Sequence, residues 1–453
     1  MHKAFTATAT DAVEVHLVRP LQWDEAEHEI PEGLKSLARA TGFKAKPGET
    51  VFMANDEGKL AHVLFGIGDA SDALAVAPLA GKLPEGDYRI ARDAGLPMAH
   101  IAAGWADGAY RFDRYLKDKA TPPRLVIGDD ADSAALDREA EAIALLRDLI
   151  NTPAQHMGPA SIEAAVRQMA EQYEADIDVT VGDDLLTANY PMVHAVGRAG
   201  PEAPRFIELS WGNPDHPELA LVGKGVAFDT GGLNLKTGNY MRLMKKDMGG
   251  SAHVIALAKL VMDSKLPVRL KLYVPTVENA ISGEAFRLGD VLSTRKGLTV
   301  EIDNTDAEGR LILGDALTRA CEGAPDLLID FATLTGAARV ALGPDLAPFY
   351  TDDGDTADAI NAASAVSGDP VWRMPLWDPY KSMLKSDIAD MQNAGGAFAG
   401  SITAAIFLKQ FVEAERWVHL DVWGWRNAKY GRPEGGAACG LRAVWTMLRT
   451  RYA

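Results

Sequence analysis

Ile302-Asp303-Asn304-Thr305-Asp306-Ala307-Glu308-Gly309-Arg310-Leu311 closes one apolar strand candidate, 299–302, and opens a helix candidate, 311–322. A strand that ends in a glycine-containing loop and passes into a helix is the building unit of an α/β fold. The alternation extends outward on both sides. Strand candidates 177–181, 220–222, 268–274, 327–331 and 417–420 are interspersed with helix candidates 160–173, 251–262 and 402–414. Strands separated by helices predict a largely parallel central sheet flanked by helices. In such sheets, functional residues collect at the carboxyl ends of strands.

Upstream, 132–150 is alanine-rich with apolar residues at helical spacing, and Asn151-Thr152-Pro153 stops it. It reads as a long connecting helix, so a smaller N-terminal α/β domain is expected over 1–150 and a larger catalytic domain over 151–453. Within the first domain, 12–18, 51–54 and 62–66 are strand candidates. Segments 71–77, ended by Pro78, and 102–110, weakened by two glycines, are helix candidates. Gly66-Ile67-Gly68 is only a loop signal, since no third glycine follows at dinucleotide-binding spacing.

Composition narrows the function. The 453 residues carry 46 Lys and Arg against 63 Asp and Glu, a net charge of −17. Such a chain repels phosphate backbones and anionic membranes, so neither nucleic acid nor a membrane is an expected partner. Cys321 and Cys439 are too few for a disulfide framework and form no C-x-x-C pair. The first eight residues lack a long apolar run, so no secretory signal is expected and the cytoplasm is the expected compartment. H-E-x-x-H, G-x-S-x-G and G-x-x-x-x-G-K-[ST] are all absent. His194 and His253 read as isolated core or surface residues, and His419 as a structural one. Chemistry must then rest on carboxylates, lysines and arginine.

Two segments offer those groups. Leu221-Val222-Gly223-Lys224-Gly225-Val226-Ala227-Phe228-Asp229-Thr230-Gly231-Gly232 continues through Lys236 to Lys246-Asp247-Met248-Gly249-Gly250, and the second is 302–311. Asp306 and Glu308 are two apart, so an extended segment would point both to one side. Paired hard carboxylates suit a divalent cation. Glycines near Asp229 and Asp247 permit close backbone approach and positive φ, and Arg310 can hold an anion bidentately. Asp and Gly are also ordinary turn residues, and spacing alone leaves that reading open. Lysine is a rare metal ligand because its amine must first lose a proton.

The run Asn304-Thr305-Asp306-Ala307-Glu308-Gly309-Arg310-Leu311 resembles the signature of the leucine aminopeptidase (cytosol aminopeptidase) family. Gly223-Lys224-Gly225, Phe228 through Gly232, Met244 through Gly250, Ala332-Thr333-Leu334-Thr335-Gly336-Ala337, Gly400 through Ala405 and His419-Leu420-Asp421 match further family segments in order. The resemblance spans roughly residues 145–430. It implies a dinuclear metallo-exopeptidase that releases leucine-like or other apolar amino-terminal residues from peptides with a hydroxide activated by two metals, Zn²⁺ and/or Mn²⁺. By the same resemblance, Lys224, Asp229, Asp247 and Glu308 hold the tighter metal. Asp229, Asp306 and Glu308 hold the more exchangeable one. Lys236 and Arg310 are the catalytic positions, with a bicarbonate on Arg310. Met244, Thr333 and Gly336 line the substrate pocket, although Met244 reads equally as core. A homohexamer is implied as well.

One departure stands out. A Thr-Gly pair belongs after the last glycine-rich turn, but the chain reads Gly435-Gly436-Ala437-Ala438-Cys439-Gly440. That region contributes to the family's pocket, which leaves side-chain preference open. Two alternatives remain: a DNA-binding or architectural family member, opposed by the charge of −17, and an inactive structural paralogue, opposed by filled ligand and catalytic positions.

Overall fold

The computed structural model describes residues 1–23, 29–427 and 434–453. The chain divides into two compact units. The first comprises Met1–Ala144, with Ser367–Asp369 and the described residues about Arg426. Its sheet contains β1 (Phe5–Thr6), β2 (Val13–Val18), β3 (Thr50–Ala54), β4 (Leu60–Gly66), β5 (Asp87–Arg92) and β6 (Arg124–Val126), in the order β1-β6-β5-β2-β4-β3. Val15, Leu17, Val63 and Phe65 alternate onto one face and pack beneath helix Met98–Ala109. Val18 and Leu64 point the other way, against Leu34 and Ala38 of helix Glu32–Thr41. The expected helix at 71–77 does not form. The helix there is Ala77–Ala80, with Pro78 in its first turn. Proline lacks an N–H that the first turn would leave unpaired anyway, so it starts this helix instead of ending one.

The second unit holds the larger sheet. Its strands are β7 (Asp176–Val181), β8 (Arg205–Trp211), β9 (Glu218–Gly223), β10 (Gly225–Asp229), β11 (Arg269–Asn279), β14 (Leu327–Ala332), β15 (Ala347–Tyr350), β16 (Val371–Arg373) and β18 (Trp417–Asp421). A three-stranded sheet of β12 (Val291–Ser293), β13 (Thr299–Glu301) and β17 (Met391–Gln392) stands apart. The main order is β16-β15-β18-β14-β9-β11-β8-β7, with β10 also paired to β11. The pairings around β9, namely β9 with β11, β9 with β14 and β14 with β18, are parallel, and β7 and β8 extend the edge antiparallel. The sheet is therefore mostly parallel, as the alternation predicts.

Every residue of β9, β14 and β18 is buried, as strands covered by helices on both faces must be. Ala220, Val222 and Leu328 pack with Leu311, Ile312 and Phe407 from helices Gly309–Cys321 and Gly400–Lys409. Helix Gly249–Asp263 covers β9 and β14 with residues outside that cluster. Its His253 is fully buried and stacks on Phe331, with ring centroids 5.1 Å apart. Nδ1 lies 2.6 Å from the Gly249 carbonyl, and Nε2 accepts the Cys439 N–H at 3.1 Å, so the neutral Nδ1–H tautomer satisfies both.

Burial lowers the His253 pKa to about 4 from 6.5. As pH falls below about 6.5 the unfolded chain binds a proton that the folded chain refuses, so stability falls with pH until about 4. A shift of this size is worth about 3 kcal/mol. Chemical denaturation across pH 4–7 is expected to show a flatter profile for His253→Gln than for the parent. Parallel profiles would contradict the assignment.

Candidate active site

Five strand ends meet on one rim of the large sheet. Lys224 follows β9, Asp229 closes β10, Asn279 closes β11, Thr333 follows β14 and Asp421 closes β18. These strands run parallel, so their carboxyl ends share that rim. Met244 and Asp247 come from the 3-10 stretch Gly238–Met248 that leads into helix Gly249–Asp263. Asp306, Glu308 and Arg310 come from the loop after β13 and the start of helix Gly309–Cys321.

The extended 306–308 segment expected from the two-residue spacing does not occur. The chain turns at 305–306, and Glu308 takes helical dihedrals (φ −71°, ψ −36°) as the helix N-cap. The two carboxylates nevertheless converge. Asp229, Asp306 and Glu308 each offer an oxygen, and the three oxygens lie within 4.8 Å of one another. Asp229 is held from behind: the Gly231 N–H and Asn279 Nδ2 each donate to Oδ1 at 2.8 Å. Gly231 sits at φ +88°, and a Cβ there would fall 2.4 Å from the Asn234 carbonyl and 2.9 Å from Asp306 Oδ1. Glycine is therefore required for both the turn and the approach of Asp306.

Lysines counter the acids. Lys224 Nζ lies 2.6 Å from Asp247 Oδ2 and 3.0 Å from Glu308 Oε1, and it donates to the Thr333 carbonyl at 2.9 Å. Lys236 Nζ lies 2.7 Å from Asp229 Oδ2 and 2.5 Å from Asp306 Oδ1. Burial opposes charge on both lysines, but the surrounding carboxylates outweigh it and raise both pKa values. Asp247 is buried too, yet Lys224, Lys246 and Lys236 hold its pKa below the usual carboxylate range. Burial followed by the charge of Asp229 pushes Glu308 and Asp306 above theirs. Among the described residues, Glu308 Oε2 has no hydrogen-bond partner. Carboxylate oxygens that converge within 4.8 Å, beside a buried unpaired one, fit divalent cations.

These groups open into a cleft of about 660 Å³. Lys224, Asp229, Lys236, Met244, Asp247, Asp306, Arg310, Thr333 and Gly336 all line it, and Glu308 is buried beside them. Of the ten residues singled out from the sequence, all are brought to this one place. Thr333 also donates to Asp247 Oδ1 at 3.0 Å, so it steadies that carboxylate. Arg310 is buried; its Nη1 donates to the Asn393 carbonyl at 2.7 Å, and its Nε has no partner among the described residues. Burial lowers its pKa to about 10, opposed by Glu308 and Asp421, which leaves it charged at neutral pH. No described residue of 434–440 lines the cleft.

Sequence reasoning assigned no role to three neighbours, of which only Lys246 lies in a segment it singled out. Asn279 bridges Asp229 and the Thr305 carbonyl; its place at a strand's carboxyl end is the signal that could have found it. Lys246 is buried, with Nζ 4.0 Å from the Trp423 ring centroid, and burial lowers its pKa to about 8 despite Asp247. Asn393 holds Arg310 from 83 residues away, and nothing local announces it. His419 lies outside the cleft lining, fully buried, with Nδ1 2.6 Å from Asp330 Oδ1.

A parallel-sheet rim carrying clustered carboxylates and lysines over a cleft is suited to metal-assisted hydrolysis. The sequence profile of the cytosol aminopeptidase family, catalytic domain, matches residues 144–445, and that of the M17 aminopeptidase N-terminal domain matches 21–128. A probable cytosol aminopeptidase of Stenotrophomonas maltophilia is 38% identical over 442 residues, covering 91% of this chain and 90% of the relative. The crystal structure of a cytosol aminopeptidase from Coxiella burnetii superposes with a TM-score of 0.92 at 40% identity, covering 98% of each chain. The bottromycin maturation enzyme BotP in complex with Mn superposes at 0.87 with 32% identity, covering 98% of this chain and all of that one. The chain belongs to the cytosol aminopeptidase family and is a metal-dependent aminopeptidase. No helix among the described residues is long and apolar enough to cross a membrane.

Proposed function

We propose that this aminopeptidase is a leucyl aminopeptidase that releases leucine-like and other apolar amino-terminal residues from peptides in the cytoplasm, using two divalent cations per chain. The convergence of Asp229, Asp306 and Glu308 within 4.8 Å carries the reading. Lys224, Asp229, Asp247 and Glu308 would hold the tighter cation, and Asp229, Asp306 and Glu308 the more exchangeable one. Zn²⁺ and Mn²⁺ are the proposed ions, and the manganese complex of BotP supports the latter. Bound there, such ions supply Lewis-acid charge and a water of lowered pKa.

The chain's own groups do the rest. Asp247, steadied by Thr333, receives the peptide's free amine. Lys236 donates to the oxygen of the scissile carbonyl as negative charge builds on it. Arg310 holds an anion, for which bicarbonate is proposed, beside the point where a proton must leave. Lys224 serves as a ligand only after losing its proton, and a cation in place of that proton supplies the opposing charge. Residues 1–150 form the proposed N-terminal domain and 151–453 the catalytic one. A homohexamer is the proposed assembly, supported by the exposed Trp372, Trp377 and Phe398 of the catalytic unit.

Gly336 tests the pocket. A Cβ there meets nothing within 4 Å, so the position opens onto free cleft space. Gly336→Val is expected to lower kcat/KM for leucine amide by about 10-fold or more relative to alanine amide, the scale of a lost apolar fit. A panel of aminoacyl amides reads the ratio. An unchanged ratio would remove Gly336 from the pocket, and failure of the unsubstituted protein on every apolar aminoacyl amide would remove the proposed leucyl specificity.

A further inference from the structure

A second cluster of ligating side chains lies in the N-terminal unit. Strands β2 and β4 are parallel neighbours at the middle of the sheet, with Glu14 opposite His62 and His16 opposite Leu64. Alternation then places Glu14, His16 and His62 on one face. It is the face on which Val18 and Leu64 pack against helix Glu32–Thr41. Each of the three residues offers one ligand atom, and the three atoms lie within 4.8 Å of one another. Glu14 Oε2 is 3.3 Å from His62 Nδ1 and 3.7 Å from His16 Nε2. Two donors on a tetrahedral zinc, bound at about 2.1 Å, stand about 3.4 Å apart.

Hydrogen bonding does not explain the arrangement. The His16 side chain is only 4% exposed. Neither of its ring nitrogens has a hydrogen-bond partner among the described residues, nor does His62 Nδ1. Buried polar atoms are ordinarily paired, because leaving them unpaired sacrifices their hydration. A cation would engage the ring nitrogens left unpaired here, since neutral imidazole is the metal-binding form of histidine.

We propose that Glu14, His16 and His62 form a binding site for a divalent transition-metal ion, zinc being the best match, separate from the aminopeptidase centre. Two imidazoles and one carboxylate are a zinc donor set, whereas calcium and magnesium take oxygen donors. Three protein ligands leave a fourth position for water. Glu14 is 46% and His62 22% exposed, so solvent reaches the site and the ion can exchange. Arg92, opposite His16 on β5, is engaged by Glu29 at 2.9 Å, and Arg89, opposite Glu14, donates to the Ala9 carbonyl. Bound there, the ion ties β2 to β4 and stabilises the folded unit.

The test is zinc stoichiometry in the full-length protein. Chelator-stripped parent, Glu14→Gln and His62→Gln are dialysed to equilibrium against the same low-micromolar Zn²⁺ buffer, and zinc per chain is measured by elemental analysis. Both substitutions replace partly exposed side chains on different strands, which guards against loss of folding at either. Each variant is expected to hold one equivalent less than the parent while hydrolysing leucine amide at the parental rate, and only the parent should gain the corresponding rise in melting temperature. Zinc content equal to the parent's in either variant would overturn the proposal.

Discussion

A decapeptide with a free amino terminus is expected to shorten one residue at a time, and its N-acetylated twin to be hydrolysed about 10⁴-fold more slowly. The reason lies in the amine-binding role proposed for Asp247. Its carboxylate is buried and held by Lys224 and the Thr333 hydroxyl at the wall of the cleft. A free amine brings a lone pair for a cation and a donor for Asp247. Acetylation delocalises that lone pair into an amide and adds bulk, so the contact to the cation is lost and the donor facing Asp247 is displaced with it. A site built around a polar group rejects its absence strongly because its own buried groups are then left unpaired. Mass spectrometry of a time course reads the outcome. Internal fragments, or equal rates for the two peptides, would leave a metal hydrolase without exopeptidase direction.

Lys236→Ala is expected to lower kcat by about 10²–10³, the scale for losing one oxyanion donor, with metal content unchanged. Asp306→Ala is expected instead to lose metal. The two side chains touch, with Lys236 Nζ 2.5 Å from Asp306 Oδ1, so proximity does not separate their roles. Chemistry does. The lysine ammonium repels a dication, whereas the Asp306 carboxylate attracts one. Elemental analysis beside steady-state kinetics on leucine amide distinguishes the two. Metal lost from Lys236→Ala and kept by Asp306→Ala would reverse the assignment.

Legibility in the sequence followed the locality of the signal. Strands β9, β14 and β18 are short, predominantly apolar segments, interrupted only by Glu218, Asp330, His419 and Asp421, and helix Ala131–Asn151 repeats its apolar residues at helical spacing, so both are readable. Pro78 misled because a proline that ends one helix and a proline that begins the next look alike without the backbone. Strand β8, Arg205–Trp211, escaped because its register with β7 and β11 is set by distant partners. The carboxylates of 302–311 were legible as a group, but not their geometry: a turn and a helix N-cap bring Asp306 and Glu308 together, not an extended chain. Asn279 and Asn393 reach the site from other segments and carry no local mark. The Glu14, His16 and His62 cluster was invisible for the same reason, since His62 joins it only through the parallel register of β2 and β4.

Activity as a function of restored metal tests the central claim most directly. Enzyme stripped by a chelator and shown to be metal-free by elemental analysis is assayed on leucine amide while Mn²⁺ is added back. No turnover is expected without metal, and recovery is expected to track manganese bound at the carboxylates of Asp229, Asp247, Asp306 and Glu308, with no recovery in Asp306→Ala. Full activity in the metal-free preparation would contradict it.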